Sequence, residues 1–422
     1  MIQIVDAIMG NGKTSAAIQY MNEHSSSPFL YITPFNDETL RIRDACPGLH
    51  FWVPSNELSE FEFQKGKHLK ALVAEGRNIA MTHSLFMMSD DEVITMITRK
   101  KYVVIIDEVI DVFQPLAISD SDIKLVLNSG WLVGQGSGEN SDYEYLISST
   151  EEKYSGGRFA DLYNLAKSRR LVRLRETETD QKFYFWTLHK ELFTLSEQMF
   201  VLTYLFDGMP MKAFLDMNQI PYQYIGVGRD SSGVYRFMDQ SILPEYVTTL
   251  REKIHICDNE RLNAIGARRN ALSVTWMKNA SAKKGDDRLD RLRKNVNTFF
   301  RNYCPDHMGN QRLWCTYKCA MDRVGDKGFR SRHLAWNARS TNKYQNCIAM
   351  AYCVNVFMHP NAVNYFSAGG ASVDVDKYAL ANMVQWVYRG AIRCGKEIWV
   401  YIPSQRMRDL FEQWINSFDF CS

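Results

Sequence analysis

MIQIVDAIMGNGKTSAAIQYMNEH, residues 1–24, places a short β-branched apolar run, Ile2–Val5, ahead of an amphipathic stretch, Ser15–His24, with Ala7-Ile8-Met9-Gly10-Asn11-Gly12-Lys13-Thr14 between them. The short run reads as a buried strand and the longer periodic one as a helix packed on it. Glycines at 10 and 12 let successive backbone N–H groups, that of Asn11 included, fold around phosphate oxygens. The Lys13 ammonium then reaches the β and γ oxygens, and the Thr14 hydroxyl, with Ser15 beside it, is placed for Mg2+. The alternative is a plain Gly-rich strand-to-helix turn. The strand and helix on either side of the loop argue against it.

The same texture continues outward. FLYIT (29–33), NIAMT (78–82) and YVVIID (102–107) alternate with helical stretches such as Glu38–Asp44. Buried strands alternating with helices imply an α/β fold with a parallel sheet covered on both faces. YVVIID runs into Asp107-Glu108, so a buried strand delivers two carboxylates at its end: Asp107 to hold Mg2+ and Glu108 to activate an attacking water. QMFVLTYL (198–205) predicts a further strand. Between the two lies an insertion, about 115–195, with a Gly/Ser-rich segment (134–142) and a hairpin of RLVRLRE and KFYFWTLH joined around Thr177–Gln181.

After Asp207-Gly208 the composition shifts. Net charge is −8 over residues 1–205 and +10 over 206–422, and residues 261–302 hold 11 Lys and Arg against 3 Asp and Glu in a helical pattern. Clustered cations release counterions on meeting phosphates, which points to a polyanion; a solvated basic face is the plainer reading. Alternation then resumes with RLWCTYK (312–318), RHLAWNA (332–338), an apolar helix at Cys347–Phe357 and EIWVYIP (397–403). A second α/β lobe is expected over 206–422, after a first lobe of residues 1–205.

With 422 residues, 45% hydrophobic and 23% charged, the chain can bury two or three cores, which excludes a disordered or fibrous protein. No apolar run approaches the roughly 18 residues that span a bilayer, and the N-terminus lacks a basic, cleavable leader, so a cytoplasmic protein is expected. Nine cysteines without paired spacing read as free thiols, and Cys304, His307, Cys315 and Cys319 match no standard zinc spacing.

With this loop and the Asp107-Glu108 pair, the chain resembles helicase superfamily two, the DExx-box family of nucleic-acid-dependent ATPases. ITPFNDE (32–38), with Thr33 and Pro34, stands where the family has its first strand-contacting motif. AMTHSLF (80–86) resembles the segment in which Thr82 and His83 would touch the tracked strand. VLTYL (201–205) keeps Thr203 at the place of the coupling motif, and AWNARSTNKYQN (335–346), with Thr341 and Asn342, resembles the segment that contacts both nucleic acid and the interdomain cleft. The run from Gln385 to Arg393 resembles the arginine-finger motif. On a helix Gln385, Arg389 and Arg393 would share one face, with Arg393 the favoured finger and Arg389 nearer the interface.

The resemblance implies two RecA-like lobes that bind ATP and Mg2+ between them and couple hydrolysis to movement along a strand. The expected partner is DNA, single-stranded or a branched duplex, in preference to RNA, with no membrane role; the oligomeric state is left open, and a monomer is compatible with it. The compact form resembles helicases encoded by bacteriophages, which would place the protein in the host cytoplasm. Two other readings stand beside it. A phage DNA-packaging ATPase would add a nuclease, for which the C-terminal half clusters no carboxylates. A non-motor ATP-dependent nucleic-acid-binding switch would use hydrolysis only to release its partner.

Overall fold

The computed structural model describes the chain apart from residues 117, 137–142, 150–156, 175–182, 339–342 and 419–422. Short apolar runs become strands where both their faces are covered. The first four are β1 (Ile2–Asp6), β2 (Phe29–Thr33), β3 (Ile79–Thr82) and β4 (Val103–Asp107). Every residue of β2 is buried, as is every residue of β4 except the terminal Asp107. An antiparallel sheet follows, built from β5 (Phe113–Pro115), β6 (Leu132–Gly136), β7 (Tyr143–Ser148), β8 (Leu171–Leu174) and β9 (Phe183–Thr187) in the order β5-β9-β8-β7-β6. It contains the expected hairpin as β8 paired with β9, although the residues that join them lie outside the described ones.

The chain then returns to the first sheet with β10 (Met199–Thr203), β11 (Tyr222–Arg229) and β12 (Tyr235–Met238). The seven strands lie in the order β12-β11-β1-β10-β4-β2-β3, parallel except for the β11–β12 pair. A second, wholly parallel sheet holds β13 (Ile254–Ile256), β14 (Arg312–Cys315), β15 (Ala349–Tyr352) and β16 (Ile398–Tyr401) in the order β13-β16-β15-β14. On one face of it Leu289, Leu292, Val296, Phe299 and Phe300 pack with Trp314, Ala349, Ala351 and Tyr401.

The chain divides into two compact units, and the division differs from a single break after residue 205. The first unit comprises residues 1–6, 13–240 and 359–373; the second comprises 7–12, 241–358 and 374–422. Residues 206–240 stay with the first unit because β11 pairs with β1. Residues 359–373 return to it because Tyr365 packs against Phe113, Tyr143 and Phe185 of the antiparallel sheet.

Two local expectations are corrected. Cys347–Phe357 is not a helix: its Ala349–Tyr352 forms β15, buried at every position. An apolar run covered on all sides carries no period by which helix and strand can be told apart. RHLAWNA is not a strand either; its Arg332 closes a single 3-10 turn, Arg330–Arg332, and its strand pairing is limited to the isolated bridge of His333 to Trp314.

Candidate functional site

The helix Lys13–Glu23 begins directly after the loop, and its first turn carries no acidic residue to offset the positive end of its dipole. Within the loop the Asn11 N–H donates to the Ile8 carbonyl at 3.2 Å, closing a turn. Gly10 and Gly12 adopt φ of +84° and +81°. A side chain at either position would cost roughly 1–2 kcal/mol in that left-handed region, so these two glycines are what the turn requires. Asn11 is buried, Lys13 and Thr14 are partly buried and Ser15 is exposed.

The register places the acids. Asp6 lies opposite Thr203, and Leu202 lies opposite Asp107, so β1 and β4 flank β10 and all three parallel strands end at one edge. Ligands of open α/β sheets bind at the carboxyl ends of strands. Asp107 loses solvation there and sits beside the Glu108 carboxylate, which together push its carboxyl up to about 7. Glu108 is held at φ +64°, a conformation a non-glycine residue rarely adopts, while its N–H donates to the Leu202 carbonyl at 2.9 Å. Two adjacent carboxylates that resist joint ionisation fit a divalent cation, whose charge would reverse the shift. Among the described residues no cluster of three metal-ligating side chains occurs, so a cation here would be held by Asp107, Thr14 and oxygens of a ligand.

Asp6 is a residue that sequence reasoning missed. Its carboxylate accepts the N–H groups of Leu205 (2.8 Å) and Phe206 (3.0 Å), which ties the chain leaving β10 to the end of β1. Burial raises its carboxyl, and these bonds and Lys13 oppose the rise. The legible signal was an acid closing a buried strand just before the glycines.

The expected strand-contacting residues are placed differently. Thr33 is fully buried, and the buried His83 shares a 2.9 Å hydrogen bond between Nε2 and the Asp107 carbonyl. His83 therefore steadies the strand that carries the acids. Thr82 caps the following helix by accepting the Leu85 N–H, and Pro34 is partly buried next to Phe35, which is exposed. Thr341 and Asn342 lie outside the described residues.

In the second unit the helix Val375–Val387 includes the half-buried Gln385 and ends before Arg389, so the single helical face expected for Gln385, Arg389 and Arg393 does not form. Gly390 is extended (φ −80°, ψ −170°) and breaks the run, leaving Arg393 on a separate 3-10 turn, Ala391–Cys394. Arg389 is buried and Arg393 exposed.

A parallel sheet with a glycine loop after one strand and paired acids two strands away, followed along the chain by a second parallel sheet, defines a two-unit α/β protein. Residues 248–415 match the family model of the YonV C-terminal Rossmann-like domain. The chain is 32% identical to the SPbeta prophage-derived uncharacterized protein YonV of Bacillus subtilis (strain 168), over 99% of each chain, and it belongs to the YonV family. Among solved structures it is similar to an XPD helicase (TM-score 0.49, 10% identity, covering 99% of this chain and 95% of that one). It is also similar to Xpd4 of S. tokodaii (TM-score 0.48, 11% identity, covering 98% and 94%).

Proposed function

We propose that the protein is an ATP hydrolase that couples Mg2+-dependent hydrolysis to movement along a nucleic-acid strand, a helicase or translocase of superfamily-two type acting on DNA in preference to RNA. The observation that carries this reading is the shared edge: the glycine loop follows β1, and Asp107 and Glu108 close β4, one strand further than the neighbour of β1. In this reading the backbone of Gly10, Asn11 and Gly12 cradles phosphates while Lys13 neutralises their charge. Thr14 and Asp107 hold Mg2+, which supplies charge neutralisation when bound. Glu108 orients and deprotonates the attacking water. Arg393, exposed where Arg389 is buried, is the proposed finger, with Gln385 in the helix that precedes it. Phe35, 44% exposed beyond the end of β2, takes over the nucleic-acid contact expected of Thr33 and offers a face for base stacking. The prophage origin in the relative's name supports a phage setting, and hence the cytoplasm of a host.

The test is Lys13→Ala. Hydrolysis should be abolished and nucleotide binding weakened with the circular dichroism spectrum unchanged; wild-type turnover in the folded variant sinks the assignment. Measuring strand displacement on forked DNA alongside stimulated hydrolysis separates a motor from a switch, since a switch hydrolyses ATP without opening the duplex.

A further inference from the structure

The phosphate loop is gripped by a segment far away in sequence. The Tyr246 hydroxyl donates to the Met9 carbonyl at 2.6 Å across a separation of 237 residues. In the other direction the Asn11 side chain, only 4% exposed, donates through Nδ2 to the Ile242 carbonyl at 3.1 Å. The two bonds fall on either side of Gly10, and a Cβ built on Gly10 would lie 3.5 Å from the Tyr246 hydroxyl. Tyr246 itself is fixed within the 3-10 turn Glu245–Thr249, where Val247 is buried and donates its N–H to the Pro244 carbonyl at 2.9 Å. The same segment continues through the short helix Leu250–Lys253 into β13.

A trans peptide points its carbonyl and the following N–H to opposite sides, and every described peptide here is trans. With the Met9 carbonyl held by Tyr246, the Gly10 N–H must face away from the gripping segment. The positive φ of Gly10 then turns the chain so that the next amides can converge. We propose that Tyr246 is a positioning residue for the phosphate loop: it sets the plane of the Met9–Gly10 peptide, so that the loop meets a polyphosphate already formed. The inference rests on the reading of this loop as a phosphate site. The bond from the hydroxyl to the Met9 carbonyl acts on loop backbone, so its contribution belongs to the phosphates and is indifferent to the base.

Tyr246→Phe removes the hydroxyl and keeps the ring. Purified full-length parent and variant would be titrated with ATP, GTP and inorganic tripolyphosphate in the presence of Mg2+, and turnover measured at saturating ATP. Dissociation constants should rise by the same factor for all three probes, roughly 3- to 10-fold, the loss expected for one hydrogen bond. The kcat should stay within about twofold, because the interaction is the same in ground and transition states. Unchanged binding of all three overturns the proposal. So does a loss confined to ATP, which would make Tyr246 a base contact, and so does a fall in kcat at unchanged affinity. Failure of the functional reading looks different: the parent would bind tripolyphosphate no better than Lys13→Ala does.

Discussion

Asp107 shows how one residue's environment can be matched to a missing charge. A carboxyl raised from the ordinary 3.8 to about 7 is one whose ionisation the folded state resists. The cost is absent near pH 4, grows as the pH rises through that interval and is complete above about 7. Asp107→Asn removes the charge and keeps the shape. In the absence of divalent cations it should leave the melting temperature unchanged at pH 4 and raise it by roughly 2–4 °C at pH 8. Added Mg2+ should stabilise the parent at pH 8 and not the variant. A variant less stable than the parent at pH 8 would mean that the carboxylate is held by internal partners and not kept for a cation. The positions of Asp107 and Glu108 at a strand end and of Gly10 and Gly12 in a turn were legible in sequence, because each is set by its immediate neighbours. His83 was legible only as a motif member, and its bond to the Asp107 carbonyl makes it a support.

Among the elements, the helix Arg288–Asn302 bears on the polyanion question. Leu289, Leu292, Val296, Phe299 and Phe300 are its buried side, while Arg291, Lys294 and Arg301 are exposed at spacings of three and seven, which share a face. Nearby acids are already engaged: Asp286 with Arg288 at 2.6 Å, and Asp290 with Arg323 at 2.8 Å and Arg293 at 3.2 Å. Arg291, Lys294 and Arg301 make no ion pair among the described residues. A phosphate backbone would therefore meet Arg291 and Arg301 outside any ion pair, together with Lys294, whose charge also lowers the Asp290 carboxyl from a distance. The double variant Arg291→Glu, Lys294→Glu should weaken single-stranded DNA binding and flatten the dependence of log K on log salt by about 1.4, because two phosphates would then keep their counterions. An unchanged salt slope would identify the face as merely solvated. The charge of this segment was plain in sequence; which cations were spent on internal acids was not, since Arg323 lies 33 residues from Asp290.

At the scale of the whole molecule, the two arginines after the helix Val375–Val387 separate by burial. Arg389→Ala removes a buried guanidinium and should lower stability by about 2 kcal/mol. Arg393→Ala touches an exposed side chain and should leave the melting temperature in place. If Arg393 is the finger, its loss should cost nucleic-acid-stimulated hydrolysis on the order of 10³-fold with ATP affinity retained. Full stimulation in the Arg393→Ala protein would exclude it from that role.

The sequence by itself determined the strand, loop and helix at the N-terminus, the acids closing β4 and the two-lobe α/β character, because each is written in neighbouring residues or in a short period. Only the tertiary structure decided the order of the strands, and with it the placement of β10 between β1 and β4. It alone decided that residues 359–373 return to the first unit and that Cys347–Phe357 contributes a strand. The grip of Tyr246 on Met9 belongs there too. These features arise from packing between residues tens to hundreds of positions apart, and such packing is set by which buried surfaces fit together, a property no local pattern of residues contains.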